Sequence, residues 1–96
     1  MIKRNELTYY IAVFESKNHA IYLYQHLRRK GIKEYELVST PCQIRSGCSY
    51  ALKFKVLESY DLLQKESVYI KCKILSVYSI ERINGKRIFK QIVVPT

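Results

Sequence analysis

Two of the three cysteines in this 96-residue chain stand close together in Pro41-Cys42-Gln43-Ile44-Arg45-Ser46-Gly47-Cys48. No other segment combines thiols, a cation and a turn-permitting glycine. A thiol used in group transfer must first become a thiolate, and a free cysteine of pKa about 8.5 is only a few per cent ionised at neutral pH. Arg45 is the local cation that would favour the anion. Gly47 admits positive φ, which lets successive backbone N–H groups converge on the Cys48 sulfur or on a bound anion. Other readings of the same residues stand beside this one. Buried free cysteines often serve only as small hydrophobes, and a reversible Cys42–Cys48 disulfide is geometrically feasible but not implied by the spacing. Zinc fits poorly, because the short ligand pair of structural sites is missing and His19 and His26 belong to a separate segment. No metal and no other cofactor is expected.

The elements that must hold this stretch follow from local pattern. Residues 7–14, rich in β-branched and aromatic side chains, read as a first, central strand. Ser16 can cap a helix in which Ala20, Leu23, Tyr24 and Leu27 recur at helical spacing; Arg28, Arg29 and Lys30 suit its negative end, and Gly31 stops it. Residues 35–39 form a short strand that Pro41 terminates. After the cysteine loop, Tyr50, Leu52 and Phe54 alternate with Lys53 and Lys55, as in a half-exposed strand. A second short helix is expected over residues 57–65, with Leu62 and Leu63 on its apolar face. Strand character resumes over residues 67–83, and Asn84-Gly85 turns it into a hairpin returning through residues 87–94. The order predicts an α+β, ferredoxin-like two-layer sandwich, βαββαβ, with an additional C-terminal hairpin strand. One domain, residues 1–96, is expected, with the hairpin over about residues 67–94. Lys3, Arg4 and the last few residues are expected to fray.

Composition bounds what such a domain can do. Apolar residues make up 48% and charged residues 26%, the balance of a folded domain, and one sheet leaves little room for a cleft between lobes. Elaborate catalysis is not expected. The apolar stretch 7–14 is far shorter than the roughly 18–20 residues that span a bilayer, and no signal-peptide pattern is present. An odd cysteine count without secretory context points to free thiols in a reducing, cytoplasmic setting. The formal charge is +9, and clustered cations suit nucleic acid or acidic proteins.

Several residues in this order resemble the putative Se/S carrier protein-like family. They are Tyr10-Ile11-Ala12-Val13-Phe14, Ser16, Ala20, Leu27, Gly31-Ile32, and above all Pro41 with Ile44-Arg45-Ser46-Gly47-Cys48-Ser49-Tyr50-Ala51-Leu52-Lys53-Phe54. The resemblance covers about residues 7–78. That family shows a strand ending in Phe, a helix ending in Gly-Ile, and a Pro-containing loop ending in Ser-Gly-Cys-Gly before a Leu-x-Phe strand. Here Ser49 stands where the family usually has Gly, and Cys42-Gln43 where an Arg often follows the proline. The resemblance implies that Cys48 holds sulfur or selenium as a persulfide or selenosulfide, between donor and acceptor proteins docked on the basic surface. Arg45 would stabilise the Cys48 thiolate. Pro41, Ser46 and Gly47 would shape the loop, and Cys42 would be a resolving thiol. The chain is then a carrier more than a stand-alone enzyme.

Two rivals come from other classes. If Ile11 and Val13 face the helices, Tyr10 and Phe14 share an open sheet face with Lys53 and Lys55, a surface for stacking bases and holding phosphates. The aromatic-glycine signature of well-known RNA-binding sheets is absent. The other rival is a dimerising or small-molecule-sensing regulatory domain, favoured if exposed tyrosines pair across a homodimer interface; Tyr22, Tyr24, Tyr60 and Tyr69 read equally as core, surface or interface groups. Cys72, in phase with Ile70 and Ile74, reads as a core residue, and His19 and His26 as surface residues without evident partners.

Overall fold

The computed structural model describes residues 8–44 and 49–92. Arg45, Ser46, Gly47 and Cys48 lie outside the described residues, as do the terminal segments expected to fray. The elements are β1 (Thr8–Phe14), α1 (Lys17–Arg29), β2 (Glu36–Ser39), β3 (Tyr50–Phe54), α2 (Ser59–Tyr69), β4 (Ile74–Ile83) and β5 (Lys86–Ile92). The class is α+β, as expected: the described residues form two helices and one five-stranded sheet of order β2-β3-β1-β4-β5, every neighbouring pair antiparallel. No helix among the described residues is long and apolar enough to cross a membrane.

Helix α1 forms where its local signals place it. The Ser16 side chain accepts the His19 N–H, Ala20, Leu23 and Leu27 are buried, and Arg28 and Arg29 occupy the last turn. Its end is a Schellman motif: Ile32 N–H donates to Leu27 O at 2.9 Å, Gly31 N–H donates to Arg28 O at 3.0 Å, and Gly31 adopts φ 80°. The hairpin is equally local, since Asn84 (φ 53°) and Gly85 (φ 78°) take the left-handed pair that a two-residue turn requires.

Helix α2 corrects the sequence reading. It runs through Tyr69 instead of stopping near residue 65, and β4 begins at Ile74 instead of residue 67. Val68 and Tyr69 look like strand residues but are exposed, while Glu66 and Ser67 turn inward. The helix ends in a second Schellman motif, with Cys72 N–H donating to Ser67 O at 2.9 Å and Lys71 N–H donating to Val68 O at 3.2 Å. Lys71 holds the left-handed position, at φ 62°. Cys72 is buried as expected, though in the connection to β4, and burial pushes its thiol pKa up. The strain at Lys71 is worth about 1–2 kcal/mol for a non-glycine residue, partly offset by the freedom glycine has when unfolded. Lys71→Gly is therefore expected to stabilise by about 0.5–1 kcal/mol, seen as a rise of a few degrees in thermal denaturation.

The faces of β1 are the reverse of those premised for an open face of Tyr10, Phe14, Lys53 and Lys55. Tyr10 pairs with Phe54 and Ala12 with Leu52. Ala12 and Phe14 lie under the helices with Leu52, Phe54 and Val77, in a core closed by Leu23, Leu27, Leu63, Tyr35 and Tyr60, and Tyr10 packs against it. Ile11 and Val13 lie on the other face with Ala51 and Ile80, beside Tyr9, Val38, Ile44, Tyr78 and Phe89. Leu52 and Phe54 carry more apolar area than Ala51 and Lys53, so burying their face is favoured, and the register carries β1 with it.

Candidate functional site

Edge strand β2 and strand β3 hold the cysteine loop between them. Ser39 pairs with Tyr50, and one step further Thr40 N–H donates to Ser49 O at 3.0 Å. This clamp closes the base of the loop. Thr40 and Ser49 are buried at 5% and 9% exposure, and neither hydroxyl has a hydrogen-bond partner among the described residues. From Thr40 the chain enters a turn in which Ile44 N–H donates to Pro41 O at 3.0 Å. Cys42 and Gln43 occupy the corner of that turn, exposed, and the Cys42 thiol is free. Ile44 turns back to pack on the sheet face away from the helices. The turn thus presents one thiol to solvent while an apolar side chain anchors it.

The other candidate residues separate. Phe14 is fully buried, and Tyr10 stacks on Phe54 at 5.6 Å between ring centroids. Lys53 reaches across the opposite face, its Nζ 4.5 Å from the Tyr9 ring centroid and 3.9 Å from Glu36. Lys55, beyond the end of β3, lines a cleft of about 590 Å³ with Arg28, Lys33 and Ser59. The four side chains read as one nucleic-acid surface are not brought together. Among the tyrosines, Tyr22 and Tyr69 are exposed and Tyr60 is buried.

The model of the putative Se/S carrier protein-like family matches residues 9–79. The chain belongs to that family. Searches of curated proteins and of solved structures gave no match. Within this Se/S carrier-like chain the match spans the whole cysteine loop, both strands that clamp it and both helices.

One polar cluster was not legible in the sequence. Glu66, buried in α2, accepts from Lys30 Nζ at 2.9 Å and lies 2.7 Å from His26 Nε2. Hydrogen bonds from Lys30 and then His26 hold its carboxyl below the usual glutamate range. His26 is thus a partnered residue, where a surface position without partner was expected. No local pattern reveals a contact made across 40 residues of chain. The cluster borders a groove of about 640 Å³ lined also by Lys65, Val68 and Tyr69. Among the described residues no three His, Cys, Asp or Glu side chains are grouped as metal ligands.

Proposed function

We propose that this protein carries sulfur or selenium on Cys48, as a persulfide or selenosulfide, from a donor protein to an acceptor. The observation that carries the reading is the family match over residues 9–79, which contains the complete loop. The Cys48 thiolate attacks the outer sulfur of a donor persulfide, the donor S–S bond breaks, and the donor leaves as a thiolate. One S–S bond replaces another, so no oxidant or reductant is consumed. Attack by an acceptor nucleophile on the same outer sulfur reverses the bookkeeping and frees Cys48.

Arg45 favours the thiolate by its charge, Gly47 and Ser46 shape the turn, and Pro41 holds the start of the loop. Cys42 acts as the resolving thiol when no acceptor takes the sulfur: its attack on the Cys48 sulfur expels hydrosulfide and leaves a disulfide, and this route, unlike transfer to an acceptor, consumes a small-molecule thiol as reductant. A reducing, cytoplasmic compartment suits that cycle. The basic surface steers acidic donor and acceptor proteins, mainly raising encounter rates. The clamp at Thr40 and Ser49 supports the reading, since it places the loop on paired strands instead of a free tether.

We also read β1 through β4 with both helices as a ferredoxin-like unit. Both crossovers, β1-α1-β2 and β3-α2-β4, pass over one intervening strand in the observed order, and β5 extends the sheet beyond a four-stranded pattern.

Intact-mass analysis after incubation with a cysteine desulfurase and cysteine tests the carrier reading. Cys42→Ser is expected to gain a reductant-labile adduct of about 32 Da, the mass of one sulfur added at a thiolate; wild type is expected to gain the same adduct or, once Cys42 has resolved it, to show a reductant-labile loss of about 2 Da for the disulfide, and Cys48→Ser neither. Equal labelling of all three proteins, or of none, would remove Cys48 as the carrier atom.

A further inference from the structure

The sheet face away from the helices carries a set of side chains that sulfur transfer does not use. Tyr9 and Phe89 flank Ile80 in register, one strand to either side, so two strand spacings, roughly 10 Å, separate them. Tyr78 lies two residues along β4 from Ile80, on the same face, about 7 Å away. All three rings are half-buried, with their apolar surroundings, Ile11 and Ile80, packed beneath them.

Cations border the rings. Lys53 lies over Tyr9, and the Arg87 guanidinium lies 5.3 Å from the Phe89 ring centroid. Arg82 is directly opposite Arg87 across the β4–β5 pair, and strand alternation puts both on this face. Like charges directly opposite each other destabilise a sheet, a cost that an anion between them relieves. Glu36, at the β2 edge, is the one acidic side chain that alternation places on this face among the described residues.

We propose that this face binds single-stranded nucleic acid, with bases stacked on Tyr9, Tyr78 and Phe89 and phosphates held by Lys53, Arg82 and Arg87. Aromatic rings spaced for separate bases and cations spaced for the backbone are the two components of such surfaces. An acidic protein would use the cations but has no need of three spaced rings. None of these six side chains belongs to the cysteine loop, so Cys48→Ser is expected to bind as wild type does.

The test is a fluorescence-anisotropy titration of the full chain with labelled oligouridine and oligodeoxythymidine of about 12 nucleotides, within the span one such surface covers, over about 50–200 mM salt. Wild type is expected to bind, more weakly as salt rises. Arg82→Ala with Arg87→Ala is expected to flatten the plot of log affinity against log salt by about 1.4, the share of two phosphate contacts to a single strand. Phe89→Leu keeps apolar bulk but loses the ring, and is expected to weaken binding roughly 5- to 150-fold with little change in slope. Lys86→Ala with Lys90→Ala removes equal charge from the same strand but the opposite face, and is expected to keep the wild-type slope. Absence of binding at about 50 mM salt, or equal flattening by the two double variants, would overturn the proposal. So would tighter binding of polyglutamate than of either oligonucleotide, which would assign the face to acidic proteins.

Discussion

Phe14→Ala is expected to cost about 3–5 kcal/mol, the range for emptying a fully buried aromatic site. Phe14 is 0% exposed at the end of β1, in the cluster that joins the sheet to Leu23 and Leu27 of α1 and Leu63 of α2. Truncation removes the transfer energy of the ring and leaves a cavity between sheet and helices, which relax only partly into it. Domains of this kind are stable by about 5–15 kcal/mol in all, so much of the population would unfold on mild heating. A urea titration reads the effect as a lower midpoint at nearly constant slope. A cost under about 1 kcal/mol, the ordinary result for a surface position, would instead place Phe14 on an exposed sheet face and reverse the assignment of the two faces.

Glu66→Ala is expected to cost about 1.5–3 kcal/mol, the range for hydrogen bonds to a charged group. It removes the acceptor for Lys30 and the partner of His26, the polar link between α1 and the last turns of α2. The same carboxyl makes stability depend on acid. Its pKa in the folded chain is lowered, first by the hydrogen bond from Lys30 and then by that from His26. The unfolded chain therefore takes up the proton first as pH falls. The contribution of Glu66 is complete above the usual glutamate value of about 4.3 and is lost as pH falls from there through the lowered folded value. Glu66→Gln keeps the shape but not the charge, so its stability is expected to fall less steeply than that of wild type across this acid window. Parallel pH profiles for the two proteins would mean that the carboxylate is not linked to folding.

The contrast between the two helix ends shows how much was legible and why. At the end of α1 the left-handed residue is Gly31, whose type announces the stop; at the end of α2 it is Lys71, which announces nothing. Local pattern accordingly ends the second helix near residue 65 and gives Val68 and Tyr69 strand character by their β-branched and aromatic side chains. Their side chains point to solvent, and it is the inward contact of Glu66 with α1 that continues the helix through this segment. A tertiary contact overrode local preference.

By itself the sequence determined what short-range chemistry determines: a capped α1 ending at glycine, the Asn84-Gly85 hairpin, the alternation of β3, and a proline-led cysteine loop between two strands. Each of these rests on backbone geometry or hydrogen bonds within a few residues. Only the tertiary structure decided which way β1 faces, because Tyr9-Tyr10-Ile11-Ala12-Val13-Phe14 is apolar on both sides and has no two-residue period to read. Pairing with Leu52 and Phe54 settled it, turning Ala12 and Phe14 toward the helices. The same choice put Tyr9, Tyr78 and Phe89 together on the other face, since their proximity depends on strand register and not on distance along the chain.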